Sequence, residues 1–104
     1  MVRKACLMTL KQGQQDEYER RHNPIWPELQ ETLRKHGVRN YSIFLNKNTD
    51  QLFLYAEIES EELWQRIAET ETCRRWWTHM KALMFSNADD SPATVVLDEV
   101  FHLE

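Results

Sequence analysis

The chain has 104 residues, a formal net charge of −4 and two cysteines, which is enough for one domain, 1–104, with a modest core. The acidic balance argues against nucleic-acid and anionic-membrane partners, which select clustered lysine and arginine, and two cysteines make neither a disulfide framework nor a metal pair. No apolar run approaches the ~20 residues of a membrane span and the N-terminus lacks a signal-peptide pattern, so we expect a cytoplasmic protein with no membrane partner.

The first half of the chain predicts three strands and one helical segment. The apolar run 2–10 has the length of a strand and ends in a glycine-containing turn. Two acidic residues shortly after it favour a helix start, and the helical pattern closes with three cationic residues followed by Gly37. Two further strands, 38–46 and 51–58, are rich in apolar and aromatic residues and are separated by a polar hairpin loop.

The helical pattern of this first half is interrupted within RRHNPIWPEL, residues 20–29. Pro24 and Pro27 are unfavourable inside a helix but suit its first turn. With Asn23 as N-cap and Pro24 at the first position of a new helix, one helix can end and another begin beside His22. A break at this point would set the direction of the His22 side chain and open space next to it.

The second half of the chain predicts two helical pieces and a final strand. Ser60, followed by two acidic residues, is typical of a helix N-cap, and a polar interruption at 69–73 separates this piece from the next. Residues 86–92 form a loop, and 94–103 form the last strand. The order β-α-β-β-α-β predicts a ferredoxin-like α+β fold, in which both helical layers cover one face of an antiparallel sheet.

The strands carry apolar residues on both faces. In the strand 51–58, Leu52 and Leu54 point to one side, and Phe53 and Tyr55 point to the other. The face that the helices leave free therefore needs a cover, most simply the sheet of an identical subunit. The sequence predicts a homodimer.

Motifs for the commoner kinds of chemistry are absent from the sequence. With two glycines the chain has no phosphate-binding loop, and it has no nucleophile signature. The four histidines show no metal-ligand spacing, and no local motif for a redox cofactor occurs. We therefore expect neither a metal nor a cofactor.

Aromatic residues with polar tips are the candidates that remain. Tyr18 and His22 are four residues apart, which places them on one face of a helix. Trp76 and Trp77 are adjacent and point about 100° apart, so one can pack in the core while the other faces a cleft. Tyr41 lies within a strand, and its hydroxyl needs a partner if it is buried. From the residues alone, His22 can also be a capping histidine at a kink, and both tryptophans can be packing residues.

A cleft of this composition suits a small neutral polyhydroxy ligand such as a sugar. Indole rings stack on the apolar C–H faces of a sugar ring, and tyrosine and histidine pair with its hydroxyls. A histidine with a pKa of about 6.5 gives and takes protons at neutral pH, which favours proton-transfer chemistry. Glycoside hydrolysis would need two carboxylates flanking one bond, and no such pair is evident.

The sequence resembles the L-rhamnose mutarotase family along essentially the whole chain. The segments that carry the resemblance are EYERRHNPIWPEL at 17–29, HGVRNYSIFL at 36–45, EIESEE at 57–62, CRRWW at 73–77 and EVFHL near the end. The resemblance implies a dimeric α/β-barrel of two ferredoxin-like subunits. It also implies that His22 is the proton donor and that the residues contacting the sugar are Tyr18, Tyr41, Trp76 and Trp77.

The reaction implied by this resemblance interconverts the α and β anomers of L-rhamnopyranose through ring opening, without a cofactor. A base takes the proton of the anomeric hydroxyl while an acid protonates the ring oxygen, and such assistance is typically worth ~10²–10⁴-fold. His22 is expected to supply the acid. Tyr18, a water and a backbone-held hydroxyl remain open as the base.

Two other functions are compatible with the predicted fold. A haem-handling or quinol monooxygenase of the same dimeric fold could use a lone histidine on iron, since one fold hosts many functions. An RNA-recognition domain of split βαβ topology is disfavoured by the acidic balance and by the absence of an aromatic and basic motif on the strands.

Overall fold

The computed structural model describes all residues, 1–104, as a four-stranded antiparallel sheet with four α-helices. The strands lie in the order β2-β3-β1-β4 and are β1 (Val2–Thr9), β2 (Arg39–Asn46), β3 (Gln51–Ile58) and β4 (Val95–Leu97). The helices are α1 (Gln15–Arg21), α2 (Pro27–Lys35), α3 (Glu61–Ile67) and α4 (Glu71–Met80), and a 3-10 turn follows at Lys81–Leu83. The ferredoxin-like α+β prediction is confirmed.

The core lies on the face of the sheet that the helices cover. Successive side chains of a strand point to opposite faces, and the inward residues of β3 are each at most 6% exposed: Leu52, Leu54, Ala56 and Ile58. Tyr18 of α1 and Trp76 of α4 belong to the same buried cluster. No helix is long and apolar enough to cross a membrane.

The first helical layer is interrupted as expected, but at a different residue. The helix α2 begins at Pro27, with Trp26 as its N-cap, so the prediction of Asn23 as N-cap and Pro24 as first helical residue was wrong. Asn23 instead donates its side-chain amide to the carbonyl oxygen of Glu19 (2.9 Å), which ties it back to α1. Pro27 suits the first position because the N–H that it lacks has no partner there.

The last strand is shorter than predicted. We expected a strand over 94–103, but β4 covers only Val95–Leu97. Leu97 pairs with Ala5 in antiparallel register, so residue 101 would stand opposite residue 1 and the residues after it run past the beginning of β1. Three apolar side chains of this segment are exposed by 94%, 77% and 79%: Val100, Phe101 and Leu103.

Candidate active site

One cleft between the helices and the inner face of the sheet contains all five candidate site residues. Tyr18 and His22 come from α1 and its C-cap, Tyr41 from β2, and Trp76 and Trp77 from α4. Trp76 is buried and Trp77 is partly buried, so the two adjacent rings diverge as their spacing indicates. Residues that are far apart in the sequence are therefore neighbours at this cleft.

The imidazole of His22 is held from two sides. Its Nδ1 lies 2.8 Å from the carbonyl oxygen of Tyr18. Because a carbonyl can only accept, Nδ1 carries the hydrogen, and Nε2 is the nitrogen left without a protein partner. The ring lies 4.4 Å from the Tyr18 ring and meets the Trp76 ring edge-on at 5.2 Å, measured between centroids.

The surroundings of His22 keep it uncharged at neutral pH. Burial lowers the pKa of His22 below its ordinary value, and the hydrogen bond to the Tyr18 carbonyl, which favours the protonated ring, opposes this shift only in part. No charged side chain contributes to the shift. The resting ring is therefore neutral, with a bare Nε2 that can accept a proton.

Both tyrosines present neutral hydroxyls to the cleft. Burial raises the pKa of Tyr18 and of Tyr41, and neither hydroxyl is hydrogen-bonded to a protein group. No fully buried polar side-chain atom lacks a partner, so the Tyr18 hydroxyl, which has none, reaches the open cleft. Tyr41 is 37% exposed as a whole residue, yet desolvation of its phenol is the main cause of the raised pKa, with a smaller contribution from Tyr18.

The two cysteines line the same cleft and are unreactive. Both are buried and free. Burial raises the pKa of Cys6 and raises that of Cys73 to about 11, so both thiols are protonated at neutral pH and are poor nucleophiles. No three His, Cys, Asp or Glu side chains lie close enough together to hold a metal ion.

Three aromatic residues next to the site were not among its candidates. Trp26 meets Trp76 edge-on at 5.0 Å and lies 5.2 Å from the His79 ring, so it supports the cleft wall from behind. Trp64 lies 6.4 Å from Tyr41 at the other end of the cleft. The only sequence signal for these contacts is the helical spacing of Trp76 and His79, which places both on one face of α4.

These features define a class of protein: a ferredoxin-like α+β domain with a small-molecule cleft, in which a neutral histidine lies among aromatic rings and neutral hydroxyls. A family model described as L-rhamnose mutarotase matches residues 3–103. The chain belongs to the L-rhamnose mutarotase family and is an isomerase that interconverts sugar anomers.

Individual relatives agree with this assignment. The chain is similar to the L-rhamnose mutarotase of Tolumonas auensis, with 56% identity over 103 residues and 99% of each chain covered. The crystal structure of an L-rhamnose mutarotase from Formosa agariphila has a TM-score of 0.92 and 36% identity, with all of each chain covered. An antibiotic biosynthesis monooxygenase structure has a TM-score of 0.64 at 17% identity, covering 96% of this chain and 99% of that one, which shows a shared fold alone.

Proposed function

We propose that the cleft beside His22 is where this chain interconverts the α and β anomers of L-rhamnose, and that His22 is the residue that donates the proton to the ring oxygen. The observation that supports this role is the hydrogen bond from Nδ1 to the Tyr18 carbonyl, which leaves Nε2 as the nitrogen available to substrate. Since resting His22 is neutral, Nε2 must gain a proton before it can give one. The anomeric hydroxyl of the bound sugar is the source of that proton.

One nitrogen atom, Nε2 of His22, then carries the proton through every step of the reaction. Nε2 accepts the proton of the anomeric hydroxyl as the C1–O5 bond breaks and the C1–O1 bond becomes a carbonyl. The imidazolium returns the same proton to O5, which completes ring opening. Rotation about C1–C2 presents the other face of the carbonyl, and the reverse steps close the ring as the opposite anomer. His22 acts as base and then as acid, and general acid–base assistance of this kind contributes ~10²–10⁴-fold.

The other site residues hold the sugar against this nitrogen. We propose that the Trp76 and Trp77 rings pack on the apolar C–H groups of the sugar and that the Tyr18 and Tyr41 hydroxyls bind its hydroxyls. Both tyrosines are neutral and without protein partners, which suits an uncharged polyhydroxy ligand. A fixed pose is itself a contribution to the rate, because it holds the reacting atoms at the distance of reaction.

Anomer exchange of L-rhamnose, followed by saturation-transfer NMR, tests the assignment. We expect wild-type protein to accelerate exchange and His22→Ala to lose about 10²–10⁴-fold of the enzymatic rate. His36 is a matched control, because its Nδ1 also lies against the carbonyl oxygen four residues earlier (Thr32, 2.7 Å), at the end of α2. His36→Ala should keep the wild-type rate, and a His22→Ala protein that also keeps it would overturn the role of His22.

We also propose that the chain forms a homodimer through the outer face of its sheet. The strand register aligns four apolar side chains across the whole sheet on that face, in the order Phe44, Phe53, Leu7 and Val95. Phe44 is 66% exposed and Val95 is 61% exposed. An apolar row of this length favours burial by a second copy, since contiguous exposed apolar surface marks an interaction site. A cytoplasmic location stays a prediction of the sequence.

Sedimentation velocity tests the dimer. We expect wild-type protein to sediment as a dimer and Phe44→Glu to sediment as a monomer, because a charge buried in an apolar interface is costly to desolvate. Gln12→Glu, which adds the same charge in an exposed turn away from this face, should leave the dimer intact. A monomeric wild type at all concentrations would contradict the proposal.

A further inference from the structure

We infer that Arg21 is a positioning residue for the reaction: its guanidinium fastens the end of α1 to the end of α4 and so keeps the His22 ring in place against Trp76. The inference rests on the proposed catalytic role of His22. It concerns a residue that does not line the cleft.

The guanidinium of Arg21 bonds to two elements at once. Its Nε donates to the Glu17 carboxylate at 2.7 Å, one turn earlier in α1, and its Nη1 donates to the carbonyl oxygen of His79 near the end of α4. The side chain is only 21% exposed. Arg20 and Arg21 lower the pKa of Glu17 to about 2, so the carboxylate is charged throughout the neutral range. Charge-assisted and planar contacts of this kind hold geometry better than a single flexible contact.

The end of α1 needs such a contact because its local hydrogen bonds, from Asn23 to the Glu19 carbonyl and from His22 to the Tyr18 carbonyl, join it only to its own helix. The helix has seven residues and His22 is its C-cap, and a helix this short is marginal by itself. The wall that His22 faces belongs to a different helix, since Trp76 is on α4. On the far side of the break, Trp26 packs against Trp76 and His79. The near side is tied to α4 by the Arg21 contact with the His79 carbonyl.

The proposed binding residues are held by packing rather than by the Arg21 contact. An experiment can therefore separate an effect on sugar binding from an effect on proton transfer. Tyr18 is 8% exposed and Trp76 is 8% exposed, so both are fixed by packing in the core. Loss of the Arg21 contact should therefore leave sugar binding intact and loosen only the nitrogen that moves the proton. A displacement of about 1 Å in a reacting group can cost ~10²-fold in rate.

The test compares Arg21→Ala with Arg20→Ala in L-rhamnose exchange assays over a range of sugar concentrations. Arg20 is a matched control, since it also bonds to Glu17 (2.8 Å) but is 71% exposed and has no hydrogen bond or ion pair to α4. We expect Arg21→Ala to lower kcat by about 10–100-fold with KM close to wild type, and Arg20→Ala to change neither constant. The pKa of His22, followed through its ring protons by NMR, should rise toward its ordinary value in Arg21→Ala only, because a loosened ring is better hydrated.

Arg21→Lys keeps the test decisive if Arg21→Ala does not fold. The lysine retains the charge, but one ammonium cannot reproduce the two directed contacts of the guanidinium, so we expect a smaller fall in kcat at unchanged KM. Any of three results would overturn the inference. The first is a wild-type kcat in Arg21→Lys and in any folded Arg21→Ala, and the second is an equal loss of kcat in Arg20→Ala. The third is a rise in KM at constant kcat in the Arg21 variants. His22→Ala, assayed alongside, separates the two hypotheses: if it is inactive while the Arg21 variants are normal, the positioning role fails and the catalytic role stands.

Discussion

Each helical segment of the molecule is divided into two helices, α1 and α2 in the first and α3 and α4 in the second. The two breaks are stabilised by different contacts. Between α3 and α4 the break spans residues 68–70, and Thr70 caps the new helix by accepting a hydrogen bond from the backbone N–H of Cys73. Between α1 and α2 it spans residues 22–26, and neither helix has a side-chain hydrogen bond at its N-cap. The first layer is held instead by the ring of Trp26 and by the Arg21 contact.

The difference separates a break that is stabilised locally from one that is stabilised by another helix. A hydroxyl cap satisfies a backbone donor locally and needs no other element. The break at 22–26 depends on a distant residue of α4, since the rings of His22 and Trp26 both meet the Trp76 ring edge-on. Departures from local rules are expected at functional sites, where the surrounding structure must compensate for them. Three measurements test this contrast, beginning with the largest expected effect.

The pH dependence of activity tests whether the histidine in the first break starts as a base. The pKa of His22 lies below its ordinary value, so the neutral ring dominates at pH 7. We expect kcat/KM to be flat at neutral pH and to fall by about tenfold per pH unit below the pKa of His22, as for one essential proton. The uncatalysed exchange rate is subtracted at each pH.

NMR titration of the His22 ring protons supplies the matching measurement. Its midpoint should coincide with the acid limb of the activity profile, whereas that of His79, whose pKa is also lowered, need not. An activity that falls as the pH rises through the His22 midpoint would show that the charged ring is the resting catalyst, and the order of proton transfers would be the reverse of that proposed.

The Tyr18 hydroxyl tests whether free polar atoms beside the first break contact the sugar. Tyr18→Phe removes only this hydroxyl from a well-packed ring, and the loss of one neutral hydrogen bond of about 1 kcal/mol should raise KM roughly fivefold. Tyr55→Phe is the control, because its hydroxyl bonds to Glu57 on the outer face of the sheet (2.9 Å). Unchanged KM values in both variants would remove Tyr18 from the binding residues.

How much of the molecule the sequence predicts depends on how local each feature is. The Ser60 cap and the β2–β3 hairpin follow from adjacent residues, and both are present. The start of α2 at Pro27 rather than Pro24 places Trp26 at the N-cap, and the ring that Trp26 meets edge-on, Trp76, is fifty residues away in sequence. β4 ends at Leu97, opposite Ala5 and three residues short of the start of β1, and nothing in the apolar pattern of 94–103 marks that end.

The same distinction applies to the site. The spacing of Tyr18 and His22 predicts that the two share a helix face, and their rings lie in tilted contact, 4.4 Å apart between centroids. That Tyr41 reaches the same cleft depends on the strand order, which neighbouring residues do not reveal. Its expected contact with the sugar came only from the resemblance to a family. Arg21 has no sequence signal, because its contact with the carbonyl of His79 involves a backbone atom that any residue would provide.

The smallest expected effect concerns the second break, where stability and activity should separate. Thr70→Ala removes the cap of α4 and should lower the free energy of unfolding by about 1 kcal/mol in urea titrations. Thr70→Ser retains an accepting oxygen and should recover most of this loss, and Ser60→Ala, which removes the cap of α3, should resemble Thr70→Ala. All three variants should keep kcat within about twofold at temperatures where they are folded, since a cap acts on helix stability. A fall in kcat confined to Thr70→Ala would mean that the second break also positions the cleft, because α4 carries Trp76. The two breaks would then be stabilised by different contacts but would both position site residues.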